Sequence, residues 1–204
     1  MTWIIAVCGT MGSGKSTVVD HAVAAMLNCD SLQEDHFNRM TERGLDEIDA
    51  WWERDRDVSE FDLTHLLQEL HRRAPDKATR GLEVTAGQQK IILLETHFGR
   101  LHRHLQPWID FQVWVDVPAD IAFARKVGQF ADELQLHVAA DKDSHGLRWI
   151  AEFCRGYVST TGKLFEMQRQ RVRSMSDVAI SGQGTPLDVC ANFLQSLPAR
   201  FRQE

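Results

Sequence analysis

The sequence predicts an α/β fold built on a mostly parallel five-stranded sheet. Three observations carry this. An apolar run, Trp3-Ile4-Ile5-Ala6-Val7-Cys8, ends abruptly in glycines, as a strand buried on both faces does. Further apolar runs alternate with segments of helical periodicity rather than following one another directly. The 204 residues show no internal repeat, and their length suits one domain, 1–204, with a sizeable core.

The elements follow in order. After the first strand, Val18, Val19, Ala22, Val23, Met26 and Leu27 recur at helical spacing. Cys29 to Gln33 reads as a short second strand. Leu63, Leu66, Leu67 and Leu70 mark an amphipathic helix after Asp62. Ile91 to Leu94, ending at Glu95, and Phe111 to Asp116 are buried strands. Pro118 opens a helix that carries Arg125, since proline suits a first helical turn. Ile150, Phe153, Cys154 and Tyr157 define a longer helix, and Val178-Ala179-Ile180 a last short strand. Thr185-Pro186-Leu187-Asp188 reads as N-cap, N1 proline and N3 acid of the final helix, with Cys190, Phe193, Leu194 and Leu197 on its inner face.

Composition narrows the function. Hydrophobic residues make up 43% and charged residues 25%, which excludes disordered and fibrous classes. The net charge of −6 argues against non-specific nucleic-acid binding, which needs a basic face. No run reaches the roughly 20 apolar residues of a membrane span. The apolar start lacks a basic leader, so a signal peptide is not expected. Four scattered cysteines without a CxxC pair suit reduced thiols, and the expected compartment is the cytoplasm. Charge is uneven: residues 42–62 are acidic, whereas residues 141–173 hold seven bases against four acids. Most of these belong to solvated helical faces, with one or two arginines left to reach phosphate.

Gly9-Thr10-Met11-Gly12-Ser13-Gly14-Lys15-Ser16 matches G-x-x-x-x-G-K-[ST] at every fixed position. Glycines let the backbone turn so that successive N–H groups converge on phosphate oxygens. The following helix begins with its positive dipole end toward the anion. Lys15 supplies a point charge to the β- and γ-phosphates, and the Ser16 hydroxyl is a hard oxygen for Mg²⁺. Gly9 through Thr17 are thus the expected nucleotide-binding residues of a P-loop NTPase fold. No N-K-x-D guanine signature is present and the chain is short for a motor, so ATP and a small-molecule kinase are the natural reading.

Several ordered segments resemble the uridine kinase-like group of P-loop small-molecule kinases, the nucleoside kinase group related to nicotinamide riboside kinase, pantothenate kinase and phosphoribulokinase. They are Gln33-Glu34-Asp35-His36-Phe37, Glu60-Phe61-Asp62-Leu63, Ile91 to Glu95, Val115 to Asp120 with Arg125-Lys126, and Ser176 to Ile180. The resemblance implies helices on both faces of the sheet, an acceptor-side insertion at about 36–75 and a small helical lid at about 125–148. It implies ATP and Mg²⁺, with Asp35 taking the proton of the acceptor hydroxyl and Glu95 supporting the metal beside Ser16. Asp62 would bind acceptor hydroxyls, Phe37 would wall their pocket, and Arg125 and Arg148 would neutralise transferred charge from the lid. A turn cap for Asp35 and a helix N-cap for Asp62 are the plainer alternatives. Trp51 and Trp52 suit either stacking on a base or sugar, or packing at the core edge.

The chain departs from that group in three places. Thr96 follows Glu95 where glycine is usual, Gly128-Gln129-Phe130 replaces an Arg-Asp pair, and Pro75 to Arg80 shortens a segment that normally carries a tyrosine. The acceptor is therefore read as a nucleoside or similar small metabolite. Another alcohol, a sugar acid or a nucleoside monophosphate stays open, as do a non-catalytic ATP-binding regulator and a homo-oligomer. His97, His102 and His104 invite a zinc reading, but no full ligand set follows at a sensible interval.

Overall fold

The structure, a computed structural model, describes residues 1–37, 50–51, 54, 57–78, 89–138 and 145–202. Five strands, β1 (Thr2–Cys8), β2 (Cys29–Gln33), β3 (Lys90–Thr96), β4 (Phe111–Asp116) and β5 (Val178–Ser181), pair in parallel in the order β2-β3-β1-β4-β5. The helices are α1 (Lys15–Ala25), α2 (Thr64–Arg73), α3 (Ala119–Val138), α4 (His145–Gly156), α5 (Gly162–Ser174) and α6 (Pro186–Ser196), with a single turn at Pro75–Ala78.

Successive strand side chains point to opposite faces. Ile5, Val7, Leu93, Val113 and Val115 meet Val18, Val19 and Ala22 of α1 and Val189 and Phe193 of α6. Ile4, Ala6, Ile92, Leu94 and Trp114 meet Leu66 and Leu70 of α2 and Val172 of α5 on the other side. Both faces are covered, which is why β1 and the body of β3 read as unbroken apolar runs, while the edge strand β2 carries Asp30 and Ser31. A buried Ile or Leu contributes roughly 1.5–3 kcal/mol, against about 1 kcal/mol for a helix cap. Burial therefore sets the layering, and caps only trim the ends. One such cap is the Thr185–Asp188 box that starts α6.

A buried ion pair ties down the end of the sheet opposite the glycine loop. The Asp110 carboxylate accepts from the Ile4 N–H at 2.8 Å and from the Lys77 ammonium, which also donates to the Trp108 carbonyl at 2.8 Å.

The expected strands all form. Leu27 differs: α1 closes at Met26, and Leu27 lies beyond it, 66% exposed. Pro118 precedes α3 rather than occupying its first turn, and its carbonyl accepts from the Ala122 N–H at 3.0 Å. The helix expected around Ile150–Tyr157 runs on through a π-turn at Tyr157–Thr161 into α5. Leu164, Met167 and Val172 of α5 are buried, so this segment is a core element as well as a basic one. Of the lid expected at 125–148, residues 125–138 belong to α3 and 145–148 to α4, and 139–144 lie outside the described residues, as does much of the acceptor-side insertion expected at 36–75. These helices run antiparallel, joined by an aromatic seam in which Phe123 meets Tyr157 and Phe130 meets Trp149, each at 4.3 Å between centroids. Among the described residues no helix is long and apolar enough to cross a membrane.

Candidate active site

The chain leaves β1 at the centre of the sheet, with β3 on one side and β4 on the other. That is the point where strand order reverses, and ligands of open α/β sheets bind at the carboxyl ends there. Gly9 to Gly14 fill this position. Gly12 and Gly14 take φ of 76° and 93°, in the left-handed region that favours glycine. A Cβ on Gly12 would also collide with the Ala122 carbonyl at the start of α3. The loop closes on itself through the Ser13 N–H to the Thr10 carbonyl at 3.1 Å, and α1 begins at Lys15.

Lys15 is buried, and its ammonium donates to the Thr10 carbonyl at 3.2 Å. Burial holds its pKa below the ordinary lysine value, while Glu95, Asp35, Cys8 and Glu34 pull it back up. A buried cation that feels the charges of Glu95, Asp35 and Glu34 and donates to the Thr10 carbonyl is poised to accept a more strongly negative partner.

On the β3 side the Ser16 hydroxyl donates to Glu95 Oε1 at 2.8 Å. Both are hard oxygen donors at the foot of the loop. Among the described residues no group of three or more His, Cys, Asp or Glu could hold a metal. As hard oxygens the pair fits Mg²⁺, which keeps several waters and takes one or two protein oxygens plus phosphate.

Next along the sheet edge lies Asp35, on the turn Glu34–His36 that follows β2. Gln33 pairs in register with Glu95, so the ends of β2 and β3 are level. Asp35 Oδ1 accepts from His97 Nε2 at 2.8 Å. An ionised carboxylate only accepts, so the imidazole proton sits on Nε2. This hydrogen bond, helped by the charges of Lys15 and Lys126 and opposed by partial burial, holds the Asp35 carboxyl at about 2. Glu34, fully buried, accepts from the Thr96 hydroxyl and from the His97 N–H at 3.1 Å. It fixes the turn that presents His97.

A family model described as AAA domain matches residues 5–134. The chain belongs to the AAA domain family. The match runs from β1 into α3 and so spans the glycine loop, Asp35 and Glu95. No curated protein matches the chain. Among solved structures the AAA-domain chain is similar to a sugar kinase from Janibacter sp. HTCC2649, at 16% identity, full coverage of both chains and a TM-score of 0.48. It is similar to shikimate kinase from Aquifex aeolicus vf5, at 15% identity, covering 95% of this chain and 94% of that one, with a TM-score of 0.44. It is also similar to shikimate kinase from Acinetobacter baumannii in complex with shikimate, at 16% identity, 96% and 92% coverage and a TM-score of 0.45.

The remaining residues singled out in the sequence scatter over the AAA-domain chain. Arg125 lies on the β5 side of the loop, where its guanidinium donates to the Gly182 carbonyl at 3.0 Å. It lines a cleft of about 310 Å³ with Ser13, Gly14, Thr17, Gly184 and Pro186. Sheet order puts this cleft on the flank away from Asp35, so Arg125 sits beside the loop and not across from the acceptor carboxylate. Arg148 is 78% exposed and pairs with Glu152 one turn along α4; the structure does not bring it to the other site residues. Asp62 Oδ1 accepts from the Thr64 N–H at 2.9 Å, a local turn contact one residue outside the N-cap position, which Leu63 occupies. Phe37 is half-buried against the core beneath the sheet. Trp51 is buried, donates to the Asp57 carbonyl at 3.0 Å and packs on Phe61. Trp52 lies outside the described residues. His97 bonds Asp35, whereas His102 is buried with Nε2 against the Phe61 carbonyl at 3.1 Å.

Three residues near the loop take their place there only through the fold. Glu34 and His97 meet across more than 60 positions, and no local spacing announces that contact. Arg169 of α5 shares a small cavity, about 30 Å³, with Thr10 and Tyr157. Its guanidinium stands 3.6 Å from the Asp116 carboxylate, as does that of Arg173. The excess of bases along residues 141–173 was the available hint, but it could not pick out Arg169.

Proposed function

We propose that the protein is an ATP- and Mg²⁺-dependent phosphotransferase acting on a hydroxyl of a nucleoside or similar small metabolite, of the uridine kinase-like kind. The observation that carries this reading is the row of groups at the ends of β1, β3 and β2. A phosphate loop with its lysine comes first, then a Ser16–Glu95 oxygen pair, then an ionised carboxylate, Asp35, on the outer side. Phosphoryl transfer asks for little covalent chemistry from the protein and for much alignment and charge compensation.

Loop N–H groups and Lys15 hold the β- and γ-phosphates, with Lys15 exchanging the Thr10 carbonyl for phosphate oxygen. Ser16 and Glu95 would hold Mg²⁺, which would supply charge neutralisation to the phosphates. Asp35 accepts a hydrogen bond from the acceptor hydroxyl and orients its lone pair toward the γ-phosphorus. The hydroxyl oxygen bonds to that phosphorus, the bond to the β,γ-bridging oxygen breaks, and the hydroxyl proton leaves along the hydrogen bond to Asp35. In a loose transition state this proton departs late, so an acceptor held fixed and ionised serves better than a strong base. Arg125 and the glycines after β5 shelter the nucleotide base in the cleft beside the loop. Arg169 of α5, released from Asp116, supplies a further cation beside the loop. The acceptor class rests on the sequence resemblance.

A panel of small alcohols, nucleosides first, incubated with γ-labelled ATP and Mg²⁺ tests the reading. Label transfer to one acceptor, lost on Asp35→Asn, is the expected result. ATP binding without transfer to any acceptor overturns it in favour of a nucleotide-sensing role. Undiminished transfer in Asp35→Asn removes Asp35 from the chemistry.

A further inference from the structure

We infer that His97 is a positioning residue for Asp35: its Nε2–H pins Oδ1 of the carboxylate so that the second oxygen, Oδ2, is left directed at the acceptor hydroxyl. The inference rests on the proposed function and adds to it a second-tier residue of the same site.

Asp35 needs such a partner. Its side chain is 67% exposed on a single helical turn, and a carboxylate so placed samples several rotamers. Holding one of them costs entropy that must be offset by a specific contact. The His97 ring is only 17% exposed, so the two members are unlike: one is fixed and the other is free to move.

The fixed member is anchored from below. Its own N–H and the Thr96 hydroxyl both donate to Glu34 Oε2. Thr96 Oγ1 in turn accepts from the Phe98 and Gly99 N–H groups, at 3.3 and 3.1 Å. Gly99 has φ of 48°, and a Cβ there would meet Cys8 Sγ and Gln112 Oε1. The turn after β3 is thus locked to β1 and β4 as well as to Glu34. The His97 ring stands edge-on to Phe98 at 6.3 Å, and Phe98 is fully buried.

Three consecutive residues at the end of β3 therefore reach three different partners. Glu95 meets Ser16 at the metal corner, Thr96 meets the buried Glu34, and His97 meets Asp35. The arrangement couples the phosphate side of the site to the acceptor side through one short rigid segment. Misplacement of about 1 Å at an in-line geometry is enough to cost on the order of 10²-fold in rate. A partner that removes that freedom is therefore kinetically visible.

The test compares His97→Leu, His97→Asn and His97→Gln in the full chain, alone and combined with Asp35→Asn. Leucine removes the donor, asparagine is too short to place one at Nε2, and glutamine reaches the same point. His97→Leu and His97→Asn are expected to lower kcat about ten- to thirtyfold while changing the KM for ATP less than twofold. His97→Gln is expected to recover at least about a third of the wild-type kcat. On the Asp35→Asn background, His97→Leu is expected to cost less than twofold more. Equal losses on both backgrounds, absence of glutamine rescue, or a kcat within twofold of wild type in His97→Leu would each overturn the proposal. Carboxyl ¹³C NMR of Asp35 reads the same contact without turnover: its titration midpoint is expected to move up in His97→Leu and to stay down in His97→Gln. If the wild type transfers phosphate to no acceptor, the proposed function falls, and an unchanged midpoint in His97→Leu then overturns the positioning contact as well.

Discussion

The two flanks of the phosphate loop are built from different materials. Toward β3 and β2, side chains meet side chains: Ser16 with Glu95, Thr96 with Glu34, His97 with Asp35. Toward β5, a guanidinium meets a backbone carbonyl above a cleft bordered by Gly182, Gly184, Pro186 and Val189. The first flank concentrates titratable and hydroxyl groups, whose positions determine charge and proton placement. The second offers shape, a flat cation and little chemistry. A reaction needs the former, whereas holding a planar base needs only the latter. On the proposed function, the contrast puts the chemistry on one side of Lys15 and nucleotide retention on the other.

Variants on the two sides should separate accordingly. Lys15→Ala sits between them and strikes both. It is expected to lower turnover on the order of 10³-fold and to weaken ATP binding, read by steady-state kinetics and calorimetry.

Asp35→Asn strikes only the β2 flank. It is expected to lower kcat on the order of 10²-fold with ATP affinity unchanged. Its pH behaviour is also fixed. The folded Asp35 carboxyl, at about 2, lies below its ordinary 3.8. The lowered value favours the ionised folded form, so the stabilisation is full above pH 4 and is lost as pH falls through about 2. The stability difference between wild type and Asp35→Asn should shrink over that acid window in urea melts, with no change between pH 5 and 8 from this group.

Glu95→Gln keeps the shape and removes the charge. The Mg²⁺ concentration for half-maximal activity is expected to rise about tenfold, in line with other perturbed metal sites, with a smaller change in acceptor KM.

Arg125→Ala probes the other flank. The KM for ATP is expected to rise about three- to tenfold at a nearly unchanged kcat, consistent with a lost cation–π or stacking contact of about 1 kcal/mol. Arg148→Ala, away from both flanks, is expected to change neither constant by as much as twofold. A large kcat effect from Arg125→Ala would erase the division between the flanks.

Much of this was readable in one dimension. The glycine loop announces itself because its residue types are dictated by backbone geometry and charge over eight adjacent positions. The three inner strands announce themselves because a sheet covered on both sides favours apolar runs, whereas the edge strands β2, with Asp30 and Ser31, and β5 are shorter and more mixed. The Thr185–Asp188 box is equally local. Trp51 shows where such reading runs out: the same aromatic residue serves a ligand or a core, and its burial against Phe61 decides for the core. Asp62 makes a local turn contact with the Thr64 N–H, and the N-cap position itself falls on Leu63.

Local sequence thus dictated the loop, the strands and their helices, since each depends on neighbours a few bonds away. The choice of Glu34 and His97 as neighbours at the Asp35 turn, of Arg169 as a basic neighbour of the loop, and of Arg125 for the far flank came from chain folding. Those contacts join residues tens of positions apart, and the strand order that brings them together is a property of the packed sheet, because burial of both faces selects one arrangement of strands that no single segment encodes.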